Sequence, residues 1–227
     1  MSGTFSFFGT RRGRLMCLSL LLVFLGSVGL DQVSKTEVQE KLLIEEFDKE
    51  NIRTYRGGRH YIGAIGNKVV SENEVPFYIG LKFQYSRNPG AAFSMLATLD
   101  DSIRIPFFYG VTVVAIVMIS FLLRDLPYNQ HLTRVGLVFI ASGAIGNFLD
   151  RIFYGYVVDF IDFDWNLFGW RHDFAIFNVA DIAINIGIIL YFIDFFITWS
   201  HERKQKAEAA SAENTSGYAS DSQKADG

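Results

Sequence analysis

Apolar residues in this chain gather into four blocks, at about 15–30, 103–123, 132–149 and 174–199, each dense in Leu, Ile, Val and Phe. A helix that crosses a bilayer needs about 20 mostly apolar residues. The blocks are apolar on every face, which soluble helices are not. The pattern predicts four membrane-spanning helices, the first slightly short and extending into its flanks. Basic residues near the span ends set the orientation. Arg11, Arg12 and Arg14 precede the first block, Arg124 and Arg134 flank the loop between the second and third, and Arg203, Lys204 and Lys206 follow the fourth. Four spans place all of these on one side, expected to be cytoplasmic with both termini. The opposite loop, between the third and fourth spans, carries Asp159, Asp162, Asp164 and Asp173 against Arg151 and Arg171. Residues 1–14 are then a cytoplasmic N-terminus, 15–199 the membrane domain and 200–227 a cytoplasmic tail.

Two stretches fall outside this scheme. An insertion at about 36–83 is expected on the outer side. Its first part, EVQEKLLIEEFDKEN, reads as a charged amphipathic helix near the membrane surface. Its second, YRGGRHYIGAIGNKVV, has paired glycines and alternating apolar positions that predict turns and a hairpin. The tail is rich in Ala, Ser, Glu, Lys and Gly and is expected to lack regular structure. Its Asn214-Thr215-Ser216 sequon is read as chance. The first block also has features of a cleavable signal peptide, with the three arginines before it and Gly26-Ser27-Val28-Gly29 at its exit. Cys17 is not a lipidation site, because no apolar region precedes it.

Polar residues interrupt the spans at one depth. Ser27, Asp31 and Lys35 are four apart at the outer end of the first. Gly143, Asn147 and Asp150 lie at i, i+4 and i+7 at the outer end of the third, with Arg151 beside them. Asn178, Asp181 and Asn185 lie at i, i+3 and i+7 in the fourth. Helical geometry gives each span one polar stripe, with Asp181 roughly 8 Å into its span at 1.5 Å per residue. Lipid would not solvate these groups, so the stripes should face one another around a polar cavity toward the outer leaflet. That argues for retention of the first span. A single Asn or Ser in such a place serves to hold helices together, and Ser142 and Gly146 suit close packing. Carboxylates on three spans at one depth point to function.

Four motifs carry these residues: DQVSK (31–35), RNPGAAFS (87–94), GNFLDRIFYGYVVDFIDF (146–163) and FNVADIAINIG (177–187). Together, in this order and on these spans, they resemble the lipoprotein signal peptidase (signal peptidase II) family. The resemblance covers about 15–199 apart from the insertion. It implies an all-α membrane protein, a four-transmembrane-helix bundle with a small outer-face β-element and, here, an inserted extracytoplasmic segment. It also implies an aspartic endopeptidase of the bacterial cytoplasmic (inner) membrane. Such an enzyme removes the signal peptide from prolipoproteins by cleaving before a diacylglyceryl-modified cysteine, and is inhibited by globomycin. The family's catalytic aspartates fall on Asp159 and Asp181. Its other active-site positions fall on Asp31, Lys35, Asn88, Gly90, Asn147, Asp150, Arg151, Asn178 and Ala180. The long insertion, the wide spacing between Asp159 and Asp181 across WNLFGWRHD, and the long tail depart from the family pattern; none removes a catalytic position.

The chemistry suits these groups. Two close carboxylates resist double ionisation, share a proton and titrate as a unit, so together they supply a base for water and an acid for the leaving group. Asn88 and Arg151 are candidates for positioning the substrate backbone or lipid head. Arg151 is equally open to pairing with Asp150 or with membrane phospholipid. Asp31 and Lys35 form a structural pair, and Gly90, Ala91 and Ala92 allow close backbone approach. There is no HExxH or GxSxG motif. His172 reads as a surface residue, and Asp162, Asp164 and Asp173 as a solvated acidic loop rather than a cation site. No metal or cofactor is expected. Of 227 residues half are hydrophobic, the net charge is −3 and there is one cysteine. This excludes an internal disulfide and gives no basis for a nucleic-acid partner. A monomer suffices, since one chain supplies both aspartates. Two other classes use the same residues: a small transporter or proton-relay protein, and a membrane assembly protein whose polar groups only bind helices.

Overall fold

The computed structural model describes residues 10–47, 53–57, 59–66, 77–90, 100–127 and 129–225. Four helices form a bundle: α1 Arg11–Leu42, α2 Asp101–Asp125, α3 His131–Tyr154 and α4 Val179–Ala225. All four are long and apolar enough to cross a membrane, α4 by its Val179–Glu208 part. Thr10 caps α1 by accepting from the Gly13 N–H at 3.0 Å, and Asp100 caps α2 by accepting from the Ser102 N–H at 2.8 Å. Gly155 ends α3 in the left-handed conformation (φ 76°) and donates back to the Arg151 carbonyl.

Strands β1 (Leu43–Phe47) and β2 (Arg53–Gly57) form one antiparallel pair. Strands β3 (Arg59–Gly66), β4 (Phe77–Asn88), β5 (Val157–Leu167) and β6 (Trp170–Asp173) form a four-stranded antiparallel sheet in that order. The chain leaving β6 returns along β5, where the Phe160 and Ile161 N–H groups both donate to the Phe177 carbonyl. This return strand delivers the chain to the start of α4. Val38 of α1, Tyr85 of β4 and Val158 and Phe160 of β5 form one buried cluster, so the sheet is seated on the far end of α1.

Several expectations are corrected. The segment 37–47 is not one surface helix: α1 continues to Leu42 and the chain then turns extended into β1, and 48–51 lie outside the described residues. Pairing with β2 satisfies the backbone groups a helix would have used, and local propensity does not decide between the two. The acid-rich loop is the β5–β6 hairpin, so the small β-element beside the four helices is a four-stranded sheet that includes it. Asp162 and Asp164 are buried there, with Lys82 of β4 at 3.2 Å and 3.5 Å, rather than solvated. The tail continues α4 as helix to Ala225; it has no proline, and Ala, Glu and Lys are strong helix formers. The fourth helix starts at Val179, later than the apolar block, because residues before it pair with β5. Ala91 and Ala92 lie outside the described residues.

Packing in the bundle is inverted relative to a soluble protein. The largest fully buried side chains are Val158, Asn178, Asp31, Asp150 and Ser142, while Leu22, Leu30, Val114, Phe121 and Ile189 are more than half exposed. Apolar surface faces outward, as in lipid, and polar groups face one another. Contact between α3 and α4 depends on small residues. A Cβ on Gly136 would lie 2.7 Å from the Gly187 carbonyl oxygen, and one on Gly187 would clash with the Gly136 carbonyl in return. A side chain at either position must push the helices apart. Gly187→Leu is therefore expected to destabilise the bundle by about 2–4 kcal/mol, read as a lowered apparent melting temperature in detergent. Gly26→Ala, where a Cβ meets nothing within 4 Å, should leave that temperature unchanged.

Candidate active site

At the sheet end of the bundle, Lys35 of α1 is 3% exposed and Asp31 and Asp150 are each 1% exposed. A buried ammonium has three donors to satisfy, and here it satisfies all three. Lys35 Nζ lies 2.8 Å from Asp31 Oδ2, 3.0 Å from Asp150 Oδ2 and 3.0 Å from Asn147 Oδ1. The carboxylates are in turn bound to backbone on other elements. Asp31 Oδ1 accepts from the Ala180 N–H of α4 at 2.8 Å, and Asp150 Oδ2 from the Val158 N–H of β5 at 2.9 Å. Gln32 Nε2 bridges both acids and donates to the Gly146 carbonyl. Gly146 is needed for this approach: a Cβ there would lie 2.5 Å from Asp31 Oδ2. Asp31 and Lys35 are thus an ion pair, with Asp150 as its third member.

Asp181 lies in the first turn of α4, closer to the helix end than the sequence places it. The start of this helix is a reciprocal cap. Asn178 Oδ1 accepts from the Asp181 N–H at 3.0 Å, and Asp181 Oδ2 accepts from the Asn178 N–H at 3.1 Å. Asp181 Oδ1 accepts from Asn147 Nδ2 at 2.9 Å. Asn147 therefore points its oxygen at the Lys35 ammonium and its amide at Asp181, linking the ion cluster to the carboxylate.

Asp159, on β5, is 3% exposed. Its Oδ2 accepts from Asn88 Nδ2 at 2.8 Å and its Oδ1 from Asn178 Nδ2 at 2.7 Å. Asn178, fully buried, thereby holds both carboxylates, Asp159 through its side chain and Asp181 through its backbone. Burial pushes the Asp159 carboxyl up to about 7. The hydrogen bond from Asn88 pulls it down, the charge of Asp181 raises it again, and Asn178 and Lys35 lower it.

The remaining sequence candidates divide. Asn88 accepts the Gly90 N–H on its Oδ1 at 3.1 Å and donates its amide to Asp159. Gly90 is buried against Arg104, whose Cδ would lie 2.6 Å from an added Cβ. Ala180 is 1% exposed and contributes its N–H to Asp31. The Arg151 guanidinium lies over the Phe108 ring at 4.3 Å and donates to the Asn147 carbonyl. It forms no ion pair with Asp150 among the described residues. Asn185 is exposed and donates to the Asp181 carbonyl, so it stands outside the site. Ser27 meets Ser142 at 2.9 Å, a helix contact. His172 is exposed, with its ring against Phe174. Among the described residues no group of three or more His, Cys, Asp or Glu is arranged to hold a metal.

Sequence reasoning missed Gln32, which sits one residue off the i, i+4 stripe. It also missed Asp194, a carboxylate within the fourth apolar block that could have been flagged by charge alone. Asp194 Oδ2 accepts from the Thr133 N–H at 3.0 Å and from its hydroxyl at 2.6 Å, capping α3 from across the bundle. Removing one member of a buried ion cluster leaves the others uncompensated. Lys35→Met is expected to cost about 3–5 kcal/mol, measured as loss of folded protein on heating in detergent. The exposed Lys41→Met should show no such loss.

Comparison with known proteins agrees with this architecture. The family described as signal peptidase (SPase) II matches residues 22–197. A lipoprotein signal peptidase of Geobacter sulfurreducens is 43% identical over 59% of this chain and 78% of its own length. One of Maridesulfovibrio salexigens is 33% identical over 74% of this chain and 88% of its own. A bacterial membrane enzyme solved by the in meso method is similar in structure, with a TM-score of 0.55 and 29% identity over 81% of this chain and 90% of that one. With its four apolar helices, its polar end and a match that spans all four motifs, this chain belongs to the signal peptidase II family.

Proposed function

We propose that this protein is an aspartic endopeptidase that removes the signal peptide from diacylglyceryl-modified prolipoproteins, with Asp159 and Asp181 as its catalytic pair. Supporting the pair is one observation above others: two carboxylates, on β5 and on the first turn of α4, are both held by Asn178. The family and its relatives' names make the chain a multi-pass bacterial membrane protein that processes prolipoproteins.

In this reading the active form of the pair carries one proton. The ionised carboxylate takes a proton from a water between the two groups, and the resulting hydroxide attacks the carbonyl before the lipid-modified cysteine. The protonated partner hydrogen-bonds the carbonyl oxygen as charge develops there. The tetrahedral intermediate then collapses, the C–N bond breaks, and a carboxyl proton passes to the leaving amine of the cysteine. Acid and base belong to the pair and not to either residue. Asn88, Asn178 and Asn147 hold the carboxylates without ionising themselves, and the Lys35 cluster fixes Asn147. Arg151, held over Phe108 beside the pair, is placed to meet a substrate carbonyl or a phospholipid head group. The site faces the outer leaflet, where the acyl chains of the substrate keep its cysteine at the interface, and the termini are cytoplasmic. A proton-relay protein would need such groups at several depths. Asp194, deeper in the apolar part of α4, is engaged in capping α3.

Purified wild type is expected to shorten a lipid-modified prolipoprotein on a gel, to leave the unmodified precursor intact and to be stopped by globomycin. Asp159→Asn and Asp181→Asn, folded to the same apparent melting temperature, should each lose at least about 1,000-fold in kcat/KM, in keeping with removal of an acid–base group. A variant that keeps near-full activity would displace that residue from the pair. The pH profile follows from the Asp159 carboxyl at about 7. Below that pH the pair keeps its shared proton; above it the proton is lost. Thus kcat/KM should fall on the alkaline side, with a midpoint near 7, in detergent-solubilised enzyme.

A further inference from the structure

At the end of the bundle away from the sheet, α2 leans on α3 and hardly touches α4. The gap between α2 and α4, floored by α3, holds a cavity of about 270 Å³. Leu122 of α2 and Leu126 just after it, Leu137 of α3 and Tyr191, Phe195 and Trp199 of α4 line it, and two acids, Asp194 and Glu202, stand on its α4 wall. Asp194 uses Oδ2 to cap α3. Glu202 is exposed. Of the basic groups nearest the cavity, Arg134 donates to the Leu126 and Pro127 carbonyls, and Arg203 lies over the Trp199 ring at 4.9 Å.

We infer that this cavity receives the basic n-region of the substrate's signal helix. The inference rests on the proposed function and adds a second point of recognition to it. The length of the helix decides the matter. At 1.5 Å per residue, Asp194 lies about 20 Å and Glu202 about 32 Å along α4 from Asp181. A signal peptide carries its positive charges before an apolar region of about 7–15 residues, itself about 10–22 Å long as helix, with a few residues more to the cleavage site. When the scissile bond is at the aspartate pair, the first lysine or arginine of the signal helix reaches the level of Asp194 and Glu202. The wall chemistry matches each part of such a segment. Aliphatic and aromatic side chains take the end of the apolar region. Trp199 and Tyr191 take the stem of a long basic side chain, and the two carboxylates meet its charge. The enzyme then measures the distance between cysteine and positive charge.

The test is steady-state cleavage in proteoliposomes, using a lipid-modified prolipoprotein with two lysines in its n-region and a version with two glutamates there. Glu202→Lys changes an exposed residue far from the aspartate pair. With the lysine substrate it should raise KM about 3- to 10-fold, with kcat unchanged. With the glutamate substrate it should have the lower KM of the two enzymes. Asp194→Asn, which retains an acceptor for the Thr133 cap, should shift KM in the same direction. Equal KM values for all enzyme and substrate pairs would overturn the inference. So would a KM that follows the phosphatidylethanolamine content of the liposomes whatever the n-region charge, since that makes a lipid amine the occupant. A wild type that cleaves neither substrate would instead remove the peptidase reading itself.

Discussion

An ammonium group among apolar helices must be answered on every side, and the way Lys35 is answered organises the sheet end of this molecule. Its two carboxylate partners do not stop at neutralising it. Asp31 reaches the first turn of α4 through the Ala180 N–H, and Asp150 reaches β5 through the Val158 N–H. One buried cluster of three charges therefore ties α1 and α3 to the two elements that carry Asp159 and Asp181. Isolated buried charges are costly, and such clusters give little net stability over an apolar replacement. Their value here is positional. An apolar core would not fix the register of a strand against a helix end to within a hydrogen bond.

The inverted packing explains why a polar core is available at all. In a bilayer the lipid gives no hydrophobic reason for helices to associate, so small residues and hydrogen bonds must supply the contact. Gly136 and Gly187 bring α3 and α4 together by backbone approach at one level, and the Lys35 cluster joins the helices at another. Between these lies the same physics in two forms: close packing where no polar group is present, and complete hydrogen bonding where one is. The neutral amides Asn88, Asn147 and Asn178 then carry order from the charged cluster to the aspartate pair without adding charge of their own.

Much of this was legible in the chain. Four apolar blocks gave the helices, and the i, i+4 and i+7 spacings of Asp31, Lys35, Asn147 and Asp150 gave the faces that meet. The start of the fourth helix was misplaced because Phe174 and Phe177 are as apolar as the span itself; only pairing with β5 distinguishes them. That shift matters, since it makes Asn178 a cap and not a member of a helical stripe. It also leaves Asn185, which shares the spacing, outside the site. The β5–β6 hairpin was hidden for a different reason. Its acids suggested solvent, yet Asp162 and Asp164 are buried beside Lys82, a residue 80 positions earlier that no local pattern connects to them. Gln32 escaped because periodicity selects one stripe, while a long side chain can reach across to the next.

The reciprocal cap at the start of α4 has a consequence for which residue can stand there. Asn178 donates its N–H to Asp181 Oδ2, accepts the Asp181 N–H on Oδ1 and donates Nδ2 to Asp159 Oδ1. A helix cap alone would leave the position open to Ser, Thr or Asp as well. Each of these keeps an acceptor for the Asp181 N–H, but none carries an amide to give to Asp159, and Asp would set a third carboxylate against it. The need to cap a helix and face a buried carboxylate with one side chain narrows the choice at 178 to asparagine.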